Sequence, residues 1–470
     1  MMTHRTAFGV LAVWLVGGIT PGQASASRGY DLTPWVLDII KMQAGQSGEL
    51  DWTSPDAPDP ARIEADLASR PTLSGPELLR EGDTFVIHYT TSGDDAATED
   101  QVDAAFIAIE RSWDVELAGM GYPTPPGDGV NGGDSRYDFY FTKQRGTYGV
   151  TYGEDFIDDN TMTSWIALAT WMNADEIAVT VAHEFFHAIH YTMDSLEEGW
   201  WFEVTATWME DVVYDDVNDY YNYLPSTLEH PETPLNDNSS IMYGNAIWAH
   251  SLTEKYGNQV IQDIWYLSSM ENSRMALESN KAVLADLSES GFNGDLQYWR
   301  EAFIDQARFS EGTSFPDAAM NHVFSNWPVG DVIDLVVPLG AHLIEIPGDG
   351  GDVPTTLSLS LPGNTALITS VLLQEVIGGQ PVFTEWFPDS AMGGAMVTTI
   401  DDFGGRWKAA YVVISNVDTR LDDTYALHVE APGWGGSGGP GCDSRGGSSP
   451  FSGMAYILLL GLSARLVRRR

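Results

Sequence analysis

The spacing of apolar residues divides the chain into two parts with different secondary structure. Residues 84–90 (TFVIHYT) and 137–143 (YDFYFTK) have the alternating or continuous apolar character of strands, and residues 99–113 (EDQVDAAFIAIERSW) have the spacing of an amphipathic helix. Beyond residue 330 the pattern changes to short apolar runs separated by Gly, Pro and Asp, such as TTLSLSLP and AAYVVISNV. Short strands with frequent turn residues are typical of a β-sandwich.

These patterns predict an α+β fold built from two domains. The first, residues 81–325, combines a mixed sheet with helices, and the second, residues 330–431, is a β-sandwich. Residues 27–80 are rich in Pro and Asp and contain weak helical patterns such as ARIEADLASR. We expect this segment to be either a pro-segment or an N-terminal extension.

The start of the chain predicts export. Residues 1–26 contain a basic start, a short apolar run and a final Ala-Ser-Ala, which is the order of a secretory signal peptide and its cleavage site. An uncleaved membrane anchor is the alternative, although the apolar run is short for a membrane span.

The end of the chain predicts a sorting tail. Residues 432–449 form a Gly/Ser linker that contains Cys442, and residues 450–470 combine an apolar helix with a terminal arginine cluster. This tail resembles the MYXO-CTERM sorting signals of myxobacterial exported proteins. The resemblance implies processing or anchoring at Gly441-Cys442, so that the protein is displayed on the cell envelope or secreted, and touches the membrane only through this tail. An ordinary tail anchor is the alternative.

Composition narrows the possible partners. The chain has 43% apolar residues over 470 positions, enough for one or two cores, and its single cysteine excludes an internal disulfide. A net charge of −44 argues against a nucleic-acid partner, because phosphate binding needs basic patches. The Asp-rich segments 93–100 and 128–138 could bind Ca²⁺, but the second lacks the EF-hand spacing, and solvated loops are the preferred interpretation.

The stretch VAHEFFHAIHY (181–191) has helical periodicity and contains neither Pro nor Gly. On a helix, His183 and His187 lie one turn apart on one face, so both imidazoles can bind one metal ion. Glu184 lies at the edge of that face, where it can contact a metal-bound water. This is the HExxH arrangement of zinc peptidases, in which the glutamate is the general base. A helix with two polar histidines and no metal is the alternative.

A catalytic zinc site needs a third protein ligand and an open fourth position. The best candidate is Glu203, the one charged residue in the apolar run 200–209, because a carboxylate in apolar surroundings is costly unless it is paired or binds a metal. Glu210 falls near the same helix face two turns later and is a candidate partner of a ligating histidine, or the third ligand itself.

His190 also shares the helix face of His183 and His187. Three ligands along seven residues of one straight helix would spread over about 10 Å at the helical rise per residue. We therefore expect His190 to be a capping or core histidine rather than a ligand.

The segment GWWFEVTATWMEDVVY (199–214) resembles the second motif of the gluzincins, the thermolysin and aminopeptidase type of zinc peptidase. In that family a helix with the pattern W-x-x-E-G-x-A-x-x-x-E supplies the third ligand. The match falls on Trp200, Glu203, Ala206 and Glu210. Val204 replaces the usual glycine, and the 15-residue spacer from His187 to Glu203 is shorter than usual.

A third segment, SIMYGNAIWAHSLTEKYG (240–257), resembles the gluzincin helix that begins with Y-x-x-G. The family tyrosine faces the zinc and donates a hydrogen bond to the developing oxyanion, and the match falls on Tyr243, with Ala246 in place of the usual glycine. A core tyrosine at a helix start is the alternative for Tyr243, and Tyr191 and His250 are weaker candidates for the same role. The resemblance covers roughly residues 81–270 and is closest to exported gluzincin-like metalloproteases of myxobacteria.

The resemblance implies an exported zinc metallopeptidase that hydrolyses protein or peptide substrates, an endopeptidase rather than an aminopeptidase. Its zinc ligands would be His183, His187 and Glu203, its general base Glu184, and its oxyanion donor Tyr243. The rival hypothesis is a non-catalytic surface binding protein that keeps the peptidase fold as a scaffold. The intact Glu184 favours the enzyme, because a scaffold does not need it. A site-2-type intramembrane protease is disfavoured because residues 171–200 are too polar for a membrane span.

Overall fold

The computed structural model describes residues 32–431 except for 55–56, 145, 271–274, 325–328, 349–355, 363–365, 387–389 and 393–394. The predicted signal peptide, the linker with Cys442 and the predicted sorting tail lie outside the described residues. Among the helices of the described part, none combines the length and the apolar character needed to cross a bilayer.

Helices make up most of the first part of the fold. They are α1 (Thr33–Gln43), α2 (Pro60–Ala68), α3 (Glu99–Ser112), α4 (Ala174–Met193), α5 (Gly199–Val213), α6 (Leu224–Leu228), α7 (Ile241–Gly244), α8 (Ala246–Tyr256), α9 (Gln259–Met270), α10 (Ala276–Leu287) and α11 (Gly291–Glu301). A π-helical turn, Trp113–Gly119, continues α3. The segment 240–257 therefore forms two helices that meet at Asn245.

The described strands form three five-stranded sheets. The first sheet contains β1 (Leu78–Glu81), β2 (Phe85–Tyr89), β3 (Tyr137–Thr142), β4 (Gly149–Phe156) and β5 (Met162–Ala169). The other two are built from β6 (His322–Val323), β7 (Val329–Val336), β8 (Ala341–Pro347), β9 (Thr356–Leu361), β10 (Leu367–Ile377), β11 (Gln380–Trp386), β12 (Ser390–Met392), β13 (Ala395–Asp401), β14 (Ala409–Asn416) and β15 (Asp423–Glu430).

The first sheet has the strand order β1-β2-β3-β5-β4. Strands β2, β3 and β5 are parallel, while β1 and β4 run antiparallel to their neighbours at the two edges. Strand β5 is buried along its whole length, as expected for a strand covered on both faces. The edge strand β4 lies against both α1 and α4.

Helix α4 begins at a capping box, in which the Asn173 side chain accepts hydrogen bonds from the backbone N–H groups of Asp175 and Glu176. The Glu176 carboxylate in turn accepts a bond from the Asn173 N–H. Beyond its first turn α4 is almost entirely buried, as is α5, and the two helices pack against each other. Helices that are apolar all round belong in the interior of a domain, so this pair forms the centre of the larger core.

The other two sheets form a sandwich with the orders β11-β10-β14-β8-β6 and β12-β13-β9-β15-β7. Their inner faces share one apolar core, to which Ile344 and Val412 contribute from one sheet and Leu359 and Leu427 from the other. Alternate residues of the first of these sheets face the opposite way and join the larger core. Helix α11 covers this side, where Gln297 Nε2 donates to Ser370 Oγ at 2.7 Å.

The structure confirms the predicted α+β class, with several sheets and separate helices. The hairpin of β4 and β5 was not predicted. Because both faces of β5 are covered, its apolar residues are continuous, and periodicity alone does not separate such a strand from a buried helix. The strand pairing of the sandwich begins before residue 330, because β6 pairs with β8.

Candidate metal centre

His183 and His187 lie on one face of α4, with ring centroids 4.7 Å apart and ring planes at 83°. Both side chains are buried. The i, i+4 spacing places the two imidazoles one above the other, where they can contact a common atom.

Glu203 of α5 meets these two histidines from the neighbouring helix. Its Oε2 lies 3.2 Å from His183 Nε2, and its Oε1 lies 3.4 Å from His187 Nε2. One ligand atom from each of the three residues lies within 4.8 Å of the other two. The structure therefore brings together the three residues that the sequence singled out as ligands.

The chemistry of this donor set fits a divalent transition-metal ion. Glu203 is fully buried, and no described residue donates a hydrogen bond to its Oε1. A buried carboxylate oxygen of this kind is costly unless a cation lies beside it. Two imidazoles and one carboxylate are the ligands that zinc prefers, with a fourth position left for water or substrate.

Glu210 orients His183 from the side opposite to Glu203. Its Oε1 lies 2.7 Å from His183 Nδ1, and burial raises the pKa of Glu210 to about 7. A carboxylate behind a ligating histidine fixes the orientation of the ring and leaves Nε2 for the metal. Glu210 therefore contacts a candidate ligand, His183, from behind. The carboxylate that lies close to both histidines is that of Glu203, not Glu210.

His190 lies behind His187 in the same way. Its Nδ1 is 3.3 Å from His187 Nδ1, its Nε2 is 3.2 Å from Thr205 Oγ1, and its ring stacks on Trp265 at 4.1 Å. Burial holds the pKa of His190 well below its usual value, so the ring is neutral. This histidine supports the ring of His187 from the core side, away from Glu203.

Glu184 points toward the edge strand β4. Its Oε2 accepts a hydrogen bond from Thr151 Oγ1 at 2.7 Å, and Thr33 Oγ1 of α1 lies 3.4 Å away. A Cβ atom added to Gly149 would lie 2.6 Å from Glu184 Cγ, so the glycine leaves the space that this carboxylate needs. These contacts hold the Glu184 side chain in one place.

Tyr243 of α7 lies at the same centre, with its ring centroid 6.4 Å from that of His183. The two other candidates for its role make different contacts. The Tyr191 hydroxyl is directed at the backbone oxygen of Thr151, 3.4 Å away, and the His250 ring stacks on Tyr220.

Three residues at this centre were not found from the sequence, namely Thr33, Gly149 and Thr151. Each reaches Glu184 from a part of the chain that lies more than 25 residues away. No motif marks them, although a glycine at the buried start of β4 indicates a close approach of another group.

In the two Asp-rich segments considered for Ca²⁺, several carboxylates already bind arginine, lysine or backbone N–H groups of the protein. In the second, Asp138 and Asp128 pair with Arg70, and Asp134 pairs with Arg136 at 2.8 Å. In the first, the backbone N–H of Lys143 donates to Asp95, and its side chain pairs with Asp94. Calcium binding there is still a prediction.

Comparison with known proteins finds one matching family model, whose function is unknown. Residues 79–297 match a family of unknown function, DUF6055, and this range contains α4, α5 and α7. No curated protein matches the chain. Among solved structures, a family GH115 4-O-methyl-α-glucuronidase described as specific for decorated arabinogalactans has a TM-score of 0.11 and 10% identity, over 55% of this chain. The chain spans 43% of that protein, and the likeness is too low to indicate a shared fold.

Proposed function

We propose that this protein is a zinc-dependent peptidase of the gluzincin type, with His183, His187 and Glu203 as its metal ligands. The observation that supports the proposal is the meeting of two helices at one point: the Nε2 atoms of both histidines lie 3.2–3.4 Å from the two oxygens of one buried carboxylate. The carboxylate of Glu210 supports this interpretation, because a metal-ligating histidine regularly donates its other ring N–H to a carboxylate, and Glu210 Oε1 lies at His183 Nδ1.

Zinc held by His183, His187 and Glu203 would supply Lewis acidity and would lower the pKa of a water molecule. Glu184 then accepts a proton from the attacking water and transfers it to the leaving amine, as a general base and then a general acid. The hydrogen bond from Thr151 keeps the carboxylate in position for both transfers. Tyr243 donates to the negative charge that develops on the scissile carbonyl oxygen.

We propose that α1 is an inhibitory pro-segment and that the remainder of 27–80 is an extension. Glu184, His187 and Glu203 are buried, so a substrate needs an opening to reach them. Thr33 contacts Glu184 and also accepts a hydrogen bond from the Thr151 N–H of the edge strand β4, at 3.2 Å. An exposed strand edge is where an extended peptide adds to a sheet, so α1 occupies groups that a substrate would use.

We further propose export of this enzyme through the predicted signal peptide, with surface display or release after processing at Gly441-Cys442. Proteins and peptides outside the cell are then its substrates. The acidic surface is suited to an exported soluble domain, since a large net charge keeps proteins apart.

Bound metal and hydrolysis, measured on the same samples, test this function. Elemental analysis of the purified protein should give zinc in the wild type and a loss of one zinc per chain in Glu203→Ala. Glu184→Gln should keep the zinc and lose casein hydrolysis, assayed after release of α1. An unchanged zinc content in Glu203→Ala, with casein hydrolysis retained, would move the third ligand to Glu210 or His190.

The same measurement separates the rival function. Zinc at this centre with no hydrolysis after release of α1 would indicate a non-catalytic surface binding protein on a peptidase scaffold. A wild type without metal at His183 and His187 would refute the peptidase.

A further inference from the structure

A second group of metal-ligating side chains lies in the sandwich, far in sequence from the first. It consists of His322 on β6, Asp334 on β7 and His342 on β8, and we call it the edge cluster. One ligand atom from each residue lies within 4.8 Å of the other two. We infer that the edge cluster is a second metal site, which takes a divalent transition-metal ion such as Zn²⁺.

The distances within the edge cluster suit a shared ion. His322 Nε2 lies 2.9 Å from Asp334 Oδ2, and His342 Nδ1 lies 3.7 Å from the same oxygen. Ligand atoms that each lie about 2.0–2.2 Å from one zinc ion are separated by roughly 3–4 Å. Two imidazoles and a carboxylate favour zinc and its neighbours in the first transition series over calcium or magnesium, which prefer oxygen ligands.

The edge cluster occupies positions where the strand pattern calls for apolar residues. His342 is two residues before Ile344, and Asp334 is two residues before Val336, so both polar side chains lie on the faces that carry the sandwich core. Polar groups on inner faces are costly unless they are bonded or bind an ion. A metal between the two sheets accounts for the polar residues at this point.

The three ligands come from rigid, well-anchored strands. His322 is opposite Ile344 in the parallel pairing of β6 with β8, which places it on the same face as His342. Asn321, the residue before His322, bonds to both backbone groups of Leu343, the residue after His342. The Leu335 N–H donates to Asp334 Oδ1 at 2.8 Å and fixes the outer side of that ligand. Tyr425 Oη lies 3.0 Å from His342 Nδ1, the nitrogen that also faces Asp334, so an ion bound there replaces this hydrogen bond.

The position of the edge cluster indicates what the ion does. Strand β6 is the last strand of one sheet and β7 is the last strand of the other, so the ligands join the two open edges of the sandwich. Strand edges are the weak points of β-proteins. A metal ion held by both edges would join the two sheets on this side of the sandwich, which is a structural role. Because Asp334 is exposed, a water molecule can reach the ion as a further ligand.

Zinc content measured in the Glu203→Ala background tests the edge cluster, because that background removes the proposed catalytic ion. The full-length protein is equilibrated with buffered Zn²⁺, freed of excess zinc and analysed for metal. We expect one zinc per chain in Glu203→Ala, and none when His322→Gln or Asp334→Asn is added. Both side chains are partly exposed, so these variants should fold.

His428→Gln is the matched control. His428 pairs with Asp331 at 2.6 Å on the same sheet, as an exposed histidine–aspartate pair outside the described metal-ligand groups. This control should keep the zinc. Added Zn²⁺ should raise the unfolding temperature of the control and of the Glu203→Ala parent by on the order of a few degrees. The unfolding temperature of His322→Gln in the same background should not change.

The outcomes for the two sites are separate. Loss of zinc in both His322→Gln and Asp334→Asn, with retention in His428→Gln, supports the edge cluster whatever happens to hydrolysis. Retention of the full zinc content in either cluster variant overturns it. If the wild type binds a single zinc ion, which His322→Gln removes and Glu203→Ala does not, the edge cluster stands and the proposed peptidase centre fails.

Discussion

At the residue scale, His183 and His187 are oriented by different partners on their far sides. Glu210 lies against Nδ1 of His183, and His190 lies against Nδ1 of His187. Each ring therefore presents Nε2 to Glu203. Because the partner of a ligand sets both its tautomer and its direction, these two contacts decide whether the three donors can act together.

Glu210→Gln should weaken zinc binding by about 10–100-fold, because the ring of His183 loses its orienting carboxylate. Competition with a chelator of known affinity measures the change. Asp216→Asn, at an exposed acid just after the same helix, is the control and should leave the affinity unchanged. Equal affinities in both variants would contradict the assigned role of Glu210.

Gly149→Ala should lower casein hydrolysis by on the order of 100-fold while zinc stays bound, because the new methyl group displaces Glu184 by a distance that matters for proton transfer. Gly153→Ala on the same strand is the matched control. Its added methyl would meet the ends of the flexible Ile40 and Met162 side chains, so its effect on hydrolysis should be small. Loss of zinc in Gly149→Ala would instead mean a general disturbance of the centre.

At the element scale, α1 contacts both Glu184 and the edge strand β4. The apolar side of α1, with Val36, Leu37, Ile39 and Ile40, belongs to the same core as α4. Its first residue contacts Glu184 and the N–H of Thr151. The packing of α1 stabilises the fold. If α1 is also the inhibitory segment that we propose, its removal has opposite effects on stability and on activity.

Cutting the chain after α1 should increase hydrolysis and lower the unfolding temperature. Residues 42–48 are exposed, so a site for a sequence-specific protease can be placed there without altering the core. Activity and melting curves before and after cutting measure both effects. A fall in activity that parallels the fall in unfolding temperature would show that α1 is a permanent part of the enzyme.

At the scale of the whole molecule, buried carboxyl groups and a net charge of −44 make stability depend on pH. Burial raises the pKa of Asp194 to about 6, of Asp211 to about 7 and of Glu197 to about 8. Each group holds its proton in the folded protein at a pH where the unfolded chain has released it. Their contribution to stability is therefore complete below about pH 4 and is lost as the pH rises through the raised values.

The free energy of unfolding should thus fall between pH 5 and pH 8, and Glu197→Gln should reduce that fall by a few kcal/mol. The amide keeps an oxygen that can accept the Ala276 N–H, which Glu197 Oε1 binds at 2.7 Å, but it has no charge to release. Urea unfolding at a series of pH values measures the difference. An unchanged pH profile in Glu197→Gln would mean that this carboxyl is ionised in the folded protein.

The sequence by itself determined the features that depend on regular spacing. His183 and His187 share a face because four residues make about one helical turn, and an isolated glutamate in the apolar run 200–209 marked Glu203. Alternation of apolar residues predicted the sandwich, and with it the α+β class that the structure confirms.

Only the tertiary structure decided which distant residues meet. Thr151 and Gly149 reach Glu184 because β4 is an edge strand that crosses α4, and Thr33 reaches it because α1 packs over both. His322, Asp334 and His342 meet because two sheet edges face each other. Local periodicity fixes the face on which a side chain lies, whereas long-range packing fixes what that face touches.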